Sequence, residues 1–201
     1  MEKSAVIIGG GLGGLFTGAI LSKEGVKVTV IEKNPTVGGG LQSFRRFGET
    51  FDTGMHVIGG MQEGGNIRRI CEYLGIFDKV HVMDVDPDVI DTLYFAEDRK
   101  TYKIAQGKEG FVNALSESFP DQKDNLRAYV DAVYAIVDEL DMFYLRPSQD
   151  FIFVHSEDFM MSADGFIAKY ISDRKLCSVL AYMNPLYGGR ANMTPAYIHA
   201  L

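Results

Sequence analysis

Cysteine is scarce, with only Cys71 and Cys177 in 201 residues. Two isolated thiols without C-x-x-C spacing build neither a disulfide framework nor a zinc site, and they read as reduced, buried side chains. The four histidines, His56, His81, His155 and His199, lack ligand spacing, so no metal site is expected. Positive charge is short as well: 20 Lys and Arg face 27 Asp and Glu, a net charge of −7. No basic stripe offsets that balance, which argues against a nucleic-acid partner. Internal repeats and low-complexity tracts are missing. From Lys3 to Leu21 the chain is largely apolar, but six glycines between Gly9 and Gly18 make a poor membrane helix. No small-x-small cleavage site precedes Lys23. The expectation is therefore a mature cytoplasmic protein with no transmembrane segment. Hydrophobic residues make up 46% of the chain, enough for a core.

What is present begins at once. Ala5-Val6-Ile7-Ile8, an apolar strand-like run, leads into glycines at the G-x-G-x-x-G positions, Gly9, Gly11 and Gly14. The spacing predicts a strand turning into a helix over a dinucleotide pyrophosphate. Gly9 permits the turn, Gly11 lets the backbone approach the phosphates, and Gly14 lets helix and strand pack closely. The free N–H groups and dipole of the new helix then face the anion. Leu15, Gly18, Ala19 and Leu21 suit the helix face that meets a sheet, and Gly25 suits its C-terminus. The β-branched run Val26 to Ile31 reads as the next strand. It ends on Glu32, 18 residues after Gly14, where an acid reaches a ribose hydroxyl.

A second glycine cluster follows in Lys33-Asn34-Pro35-Thr36-Val37-Gly38-Gly39-Gly40-Leu41. As turn chemistry this is a surface loop. Its position directly after Glu32 favours a second close approach to the cofactor, which an NAD dehydrogenase does not need and an extended FAD does. Phe51-Asp52-Thr53-Gly54-Met55-His56 comes next.

Together these residues resemble the FAD-dependent amine oxidase and phytoene desaturase superfamily, in its phytoene desaturase and retinol saturase-like branch. The first 60 residues carry the resemblance. It implies an α/β fold: a Rossmann-like βαβ FAD-binding domain of glutathione-reductase type, followed by the start of an α+β substrate domain. It implies FAD as cofactor, held by Gly9, Gly11, Leu12, Gly13, Gly14, Glu32, Lys33, Gly39, Gly40 and Leu41. Many relatives carry Arg where this chain has Gly40, so Gly40 is expected to act through its backbone. Asp52, Gly54 and His56 would lie near the flavin, with His56 as a candidate catalytic group. The alternative is that Asp52 and His56 satisfy each other or nearby backbone. The implied reaction is hydride transfer between flavin and a hydrophobic small molecule, making or saturating a C=C bond. An NAD-binding dehydrogenase and a truncated, non-catalytic dinucleotide-binding fragment are the alternatives. A lipidic substrate is compatible with peripheral membrane contact, although no basic amphipathic helix marks one.

The rest of the chain is read from pattern. Ile67, Ile70, Cys71 and Leu74 predict a helix from Asn66 to Ile76, ended by Gly75. Val89 to Ala96 and Thr101 to Ala105 predict a hairpin around Glu97-Asp98-Arg99-Lys100. Phe111 to Phe119 predicts a short helix. Residues 122–145 predict a long one, with Leu126, Tyr129, Val130, Val133, Val137, Leu140 and Tyr144 at helical spacing and Asp121 as N-cap. Further helices are expected from Ser162 and from Asp173 to about Met183. Phe143, Tyr144, Phe151, Phe153, Phe159, Met160, Met161, Tyr182 and Met183 read as core by default, with a lipid-pocket lining as the alternative. The acidic, proline-containing stretch between residues 76 and 90 marks a soft boundary between residues 1–80 and 81–201. The apolar stop at Leu201 predicts an N-terminal fragment of a longer enzyme.

Overall fold

The computed structural model describes residues 3–55, 57–147 and 154–201. The chain folds as two compact units, Met1–Val82 and Met83–Leu201.

The first unit opens with β1 (Ser4–Ile8), α1 (Leu12–Lys23) and β2 (Lys27–Ile31). β1 and β2 pair in parallel, with Ser4 opposite Lys27 and Ile8 opposite Ile31. Parallel strands joined through a helix make a βαβ unit, the connection that is right-handed in nearly all proteins. Gly25, at φ 81°, ends α1 in a Schellman arrangement, its N–H bonding the Ser22 carbonyl and that of Val26 the Leu21 carbonyl. The helix faces the sheet through Gly18, on which a Cβ would stand 3.3 Å from Val30 and 3.4 Å from Ile7. Ala19, expected on that face, is exposed because the small-residue ridge is Gly14 and Gly18, one helical turn apart. The opposite face of the sheet is bare: Val6 is 65% and Ile8 89% exposed.

A short antiparallel hairpin follows, β3 (Ser43–Arg46) and β4 (Glu49–Asp52). Next comes α2 (Asn66–Leu74), ended by left-handed Gly75 as its sequence predicts. Lys23, near the end of α1, stands 4.6 Å from the Tyr73 ring and joins the two helices. Cys71 is the only buried apolar side chain among the described residues of this unit.

The second unit holds the core. Its hairpin, β5 (Asp91–Phe95) and β6 (Lys100–Ile104), is the predicted one. Five helices follow: α3 (Gly107–Ser116), α4 (Lys123–Asp138), α5 (Ala163–Tyr170), α6 (Arg174–Leu180) and α7 (Ala196–Ala200). Leu115, Leu126, Ile136, Phe166, Leu176 and Val179 are fully buried between them. Helices start at Ser162 and Asp173 as expected, and both residues cap them, accepting from the Gly165 N–H at 3.3 Å and the Leu176 N–H at 2.8 Å.

Several expectations need correction. α3 starts at Gly107 rather than Phe111, in a polar, glycine-containing turn that hides the period. Asp121 is not an N-cap: Pro120 opens a 3-10 turn, and α4 begins after Gln122 without side-chain capping. α4 stops at Asp138, seven residues early. Arg146 folds back on its end, donating from Nη2 to the Asp138 carbonyl at 2.8 Å and the Val137 carbonyl at 3.4 Å. Its Nε lies 3.0 Å from the Asp141 carboxylate. A guanidinium there satisfies orphan carbonyls and the negative end of the helix dipole. Arg146→Gln should lower the stability of this unit by about 1 kcal/mol, read by urea denaturation. α6 ends at Leu180, before Met183. Cys177 is half-buried rather than buried, and both cysteines are free thiols.

Candidate dinucleotide site

The site grows from the end of β1. Gly9 turns at φ 106°, its N–H bonding the Ile31 carbonyl at 2.8 Å, so the loop starts tied to the end of β2. Gly14 seals the turn: a Cβ there would lie 2.0 Å from the Gly9 carbonyl oxygen. Gly11 is the N-cap of α1 and offers no side chain to it. The N–H groups of Gly13 and Gly14 find no protein acceptor among the described residues. Nothing lies within 4 Å of a Cβ built on Gly13, so the first turn of α1 is uncrowded at that position. That is the form of an anion site at a helix N-terminus.

Glu32 closes the adenosine side. Its Oε2 accepts from the Gly10 N–H at 2.6 Å and its Oε1 from the Asn34 N–H at 2.8 Å. The Asn34 and then the Gly10 N–H hold its carboxyl below the ordinary carboxylate range, so it is ionised at neutral pH. Each oxygen keeps a lone pair for a hydroxyl donor.

The second glycine cluster is part of the same loop system. The Gly38 N–H donates to the Gly10 carbonyl at 2.7 Å, and Gly38 and Gly11 form a single parallel bridge. Gly39, at φ 59°, approaches so closely that its Cβ would sit 3.1 Å from the Gly11 Cα. Gly40 and Leu41 continue the turn, exposed like Lys33. Thr53, the residue after β4, pins the cluster, its Oγ1 bonding the Gln42 carbonyl at 2.9 Å and the Gly40 carbonyl at 3.3 Å.

The structure thus brings Gly9, Gly11, Leu12, Gly13, Gly14, Glu32, Gly39 and Gly40 into one loop system. His56 lies outside the described residues. Sequence reasoning missed Gly10, Asn34 and Thr53. Gly10 had a signal, as the middle of three consecutive glycines; the other two act through backbone contacts that no side-chain pattern announces.

The second unit contains a separate cavity of about 690 Å³, walled largely by apolar and aromatic side chains, Phe111, Val133, Phe143, Leu180 and Met183 among them. Met161 and Tyr182 pack against the core, Phe159 is buried in it, and Met160 is exposed. Phe151 and Phe153 lie outside the described residues. On the cavity wall the Tyr129 hydroxyl and His199 Nε2 are 2.6 Å apart, and His199 Nδ1 is 2.8 Å from Asn184 Oδ1. The Tyr187 hydroxyl donates to the same Oδ1. An amide oxygen only accepts, so Nδ1 carries the proton and Nε2 accepts from Tyr129. Burial pushes the Tyr129 hydroxyl up and the His199 imidazole down to about 4. No Lys or Arg among the described residues lines the cavity.

The NAD(P)-binding Rossmann-like domain family matches residues 7–74, the loop system just described. The human all-trans-retinol 13,14-reductase is 29% identical over 216 aligned residues, covering 100% of this chain and 35% of that protein. The chloroplastic prolycopene isomerase 1 of an Oncidium hybrid cultivar is 26% identical, covering 94% of this chain and 30% of that protein. The chain is thus similar to proteins of the amine oxidase and phytoene desaturase-like superfamily. Among solved structures, a putrescine oxidase bound to putrescine superposes with a TM-score of 0.65 at 15% identity, over 100% of this chain and 41% of that one. The conjugated-linoleic-acid-producing fatty acid isomerase of P. acnes gives a TM-score of 0.57 at 21% identity, over 98% and 41%. This superfamily likeness establishes a mixed α/β fold with a Rossmann-like dinucleotide-binding domain, whose ligand class is a flavin or nicotinamide dinucleotide. The chain spans about a third of the length of the curated relatives it matches. No helix among its described residues is long and apolar enough to cross a membrane.

Proposed function

We propose that the chain is the N-terminal part of an FAD-dependent oxidoreductase that moves hydride between flavin and a C=C bond of a hydrophobic substrate. The observation that carries this reading is the backbone contact between the two glycine loops, Gly10–Gly11 against Gly38–Gly39. A cofactor lying over the first loop is led directly across the second, which suits a dinucleotide running on towards a flavin. Gly11 to Gly14 would hold the pyrophosphate on free N–H groups, and Glu32 the adenosine ribose. Lys33, Gly39, Gly40 and Leu41 would line the path beyond. FAD, when bound, supplies the hydride chemistry, and the protein supplies binding and orientation. His56 is assigned as a catalytic group on the sequence resemblance.

Residues 1–80 serve here as cofactor domain and 81–201 as the start of the substrate domain. The cavity in the second unit supports a hydrophobic ligand: it is apolar, and its one imidazole is neutral at physiological pH. The retinol reductase and prolycopene isomerase relatives are named for polyenes, and a polyene is the substrate class we assign. The free thiols fit a reducing compartment, the cytoplasm in this reading.

Gel filtration after incubation with FAD tests the proposal, with visible absorbance as readout. Flavin should co-elute with the protein, and Glu32→Gln should weaken its retention about tenfold, the loss of one charge-assisted hydrogen bond. A colourless protein that instead retains NAD would favour the dehydrogenase reading, for which the name of the matched family speaks.

A further inference from the structure

The tip of the β3–β4 hairpin has no explanation in folding. Phe47 stands there with 92% of its surface exposed. It and Gly48 form a two-residue turn with left-handed backbone at both positions, φ 55° and 85°. Such turns favour Asn-Gly or Asp-Gly, and a bulky aromatic is held in that region against its steric preference. Its ring contact among the described residues is a long cation–π approach by its own neighbour, the Arg46 guanidinium, 5.9 Å from the centroid, worth little at an exposed site. Asparagine would fold better at this position. A strained residue that gains so little from the fold points to a role in contact.

The surroundings say what it contacts. Arg45 and Arg46 immediately precede the tip, and among the described residues neither forms an ion pair, although Glu49 stands opposite Arg46 in register. Phe44 and Phe51 stack across the strands at 5.4 Å and are both exposed, giving the hairpin an apolar stem. The acidic excess of the chain lies elsewhere. Residues 1–82 carry nine Lys and Arg against eight Asp and Glu; residues 83–201 carry eleven against nineteen. An aromatic tip flanked by guanidinium groups without carboxylate partners among the described residues, on a unit without net negative charge, matches the headgroup layer of an anionic bilayer.

We infer that the β3–β4 hairpin docks the protein on anionic membranes. Phe47 enters the boundary between headgroups and acyl chains, and Arg45 and Arg46 pair with lipid phosphates. The inference goes beyond the redox reading and stands whether or not the glycine loops hold FAD.

Co-sedimentation with vesicles tests it, using phosphatidylcholine alone and phosphatidylcholine with phosphatidylserine in equal parts. The chain should sediment with the phosphatidylserine vesicles and be released by salt. Phe47→Asn should reduce binding about tenfold through lost apolar burial, while its melting temperature holds or rises. A double Arg45→Gln, Arg46→Gln variant should lose the preference for phosphatidylserine. The inference is overturned if the unaltered chain binds neither vesicle, or if Phe47→Asn binds as well as the unaltered chain. It is equally overturned if Phe47→Asn abolishes only a concentration-dependent self-association, which would make the tip a contact between copies.

Discussion

Gly14→Ala should lower the stability of the first unit by about 3 kcal/mol or more and abolish dinucleotide uptake. The new Cβ would lie 2.0 Å from the Gly9 carbonyl oxygen, and the obstacle is backbone rather than the end of a flexible side chain. To make room, α1 must lift from β1, and the Gly9 turn that anchors the loop to Ile31 must open. Gly13→Ala, one residue earlier, is the internal control. Nothing lies within 4 Å of its Cβ, and the position is helical. Alanine there should raise stability by up to about 1 kcal/mol, so any loss of uptake at this position would come without a loss of stability. Denaturation curves and FAD retention on both variants check the pair. Equal effects at the two positions would mean that the close contact of helix and strand does not control the site.

Acidification should weaken the second unit through His199. An unfolded chain protonates this histidine near its ordinary value of 6.5, whereas burial holds the folded imidazole at about 4. Between these values the unfolded state binds the additional proton, so stability is fully present above about pH 6.5 and falls as the pH drops towards 4. The full loss is about 3 kcal/mol. Protonation also removes the Nε2 lone pair that the Tyr129 hydroxyl uses, so the cavity wall loses its polar anchor as it loses stability. Asp164, held below its ordinary range chiefly by the Asn192 N–H, also weakens the unit at the acid end. Comparison with His199→Gln separates the two: melting temperatures of the variant should be nearly flat from pH 7 to about 5, where the unaltered chain already declines. Parallel curves would show that His199 is not the group responsible.

What the sequence revealed follows from how local each signal is. The β1-α1-β2 unit was legible because apolar runs, glycines and an acid occur in a fixed order along one short stretch. Ser162 and Asp173 were legible as helix starts because the residues that open a helix act on N–H groups only three residues away. The end of α4 was not: its apolar period continues through Leu140, which packs on the core from an irregular turn, while the group that ends the helix arrives from Arg146. The β3–β4 hairpin escaped because Phe-Gly is not hairpin-turn chemistry. Within the site, Glu32 was visible as a residue type at a spacing. The contact between Gly11 and Gly39, and the Asn34 N–H that fixes Glu32, are backbone matters. Tyr129 and His199 are separated by 70 residues, and neither stands out among the tyrosines and histidines of the chain.

The bare face of the first sheet has a practical consequence. β1 and β2 form a sheet of two strands, so each presents an open hydrogen-bonding edge, and Val6, Ile8 and Ile31 form an uncovered apolar surface beside it. An exposed, flat, β-branched edge recruits further strands. Produced on its own, this polypeptide carries an aggregation seed within its first ten residues. Recovery of soluble material will depend on a partner surface for that sheet more than on the well-packed helices that follow.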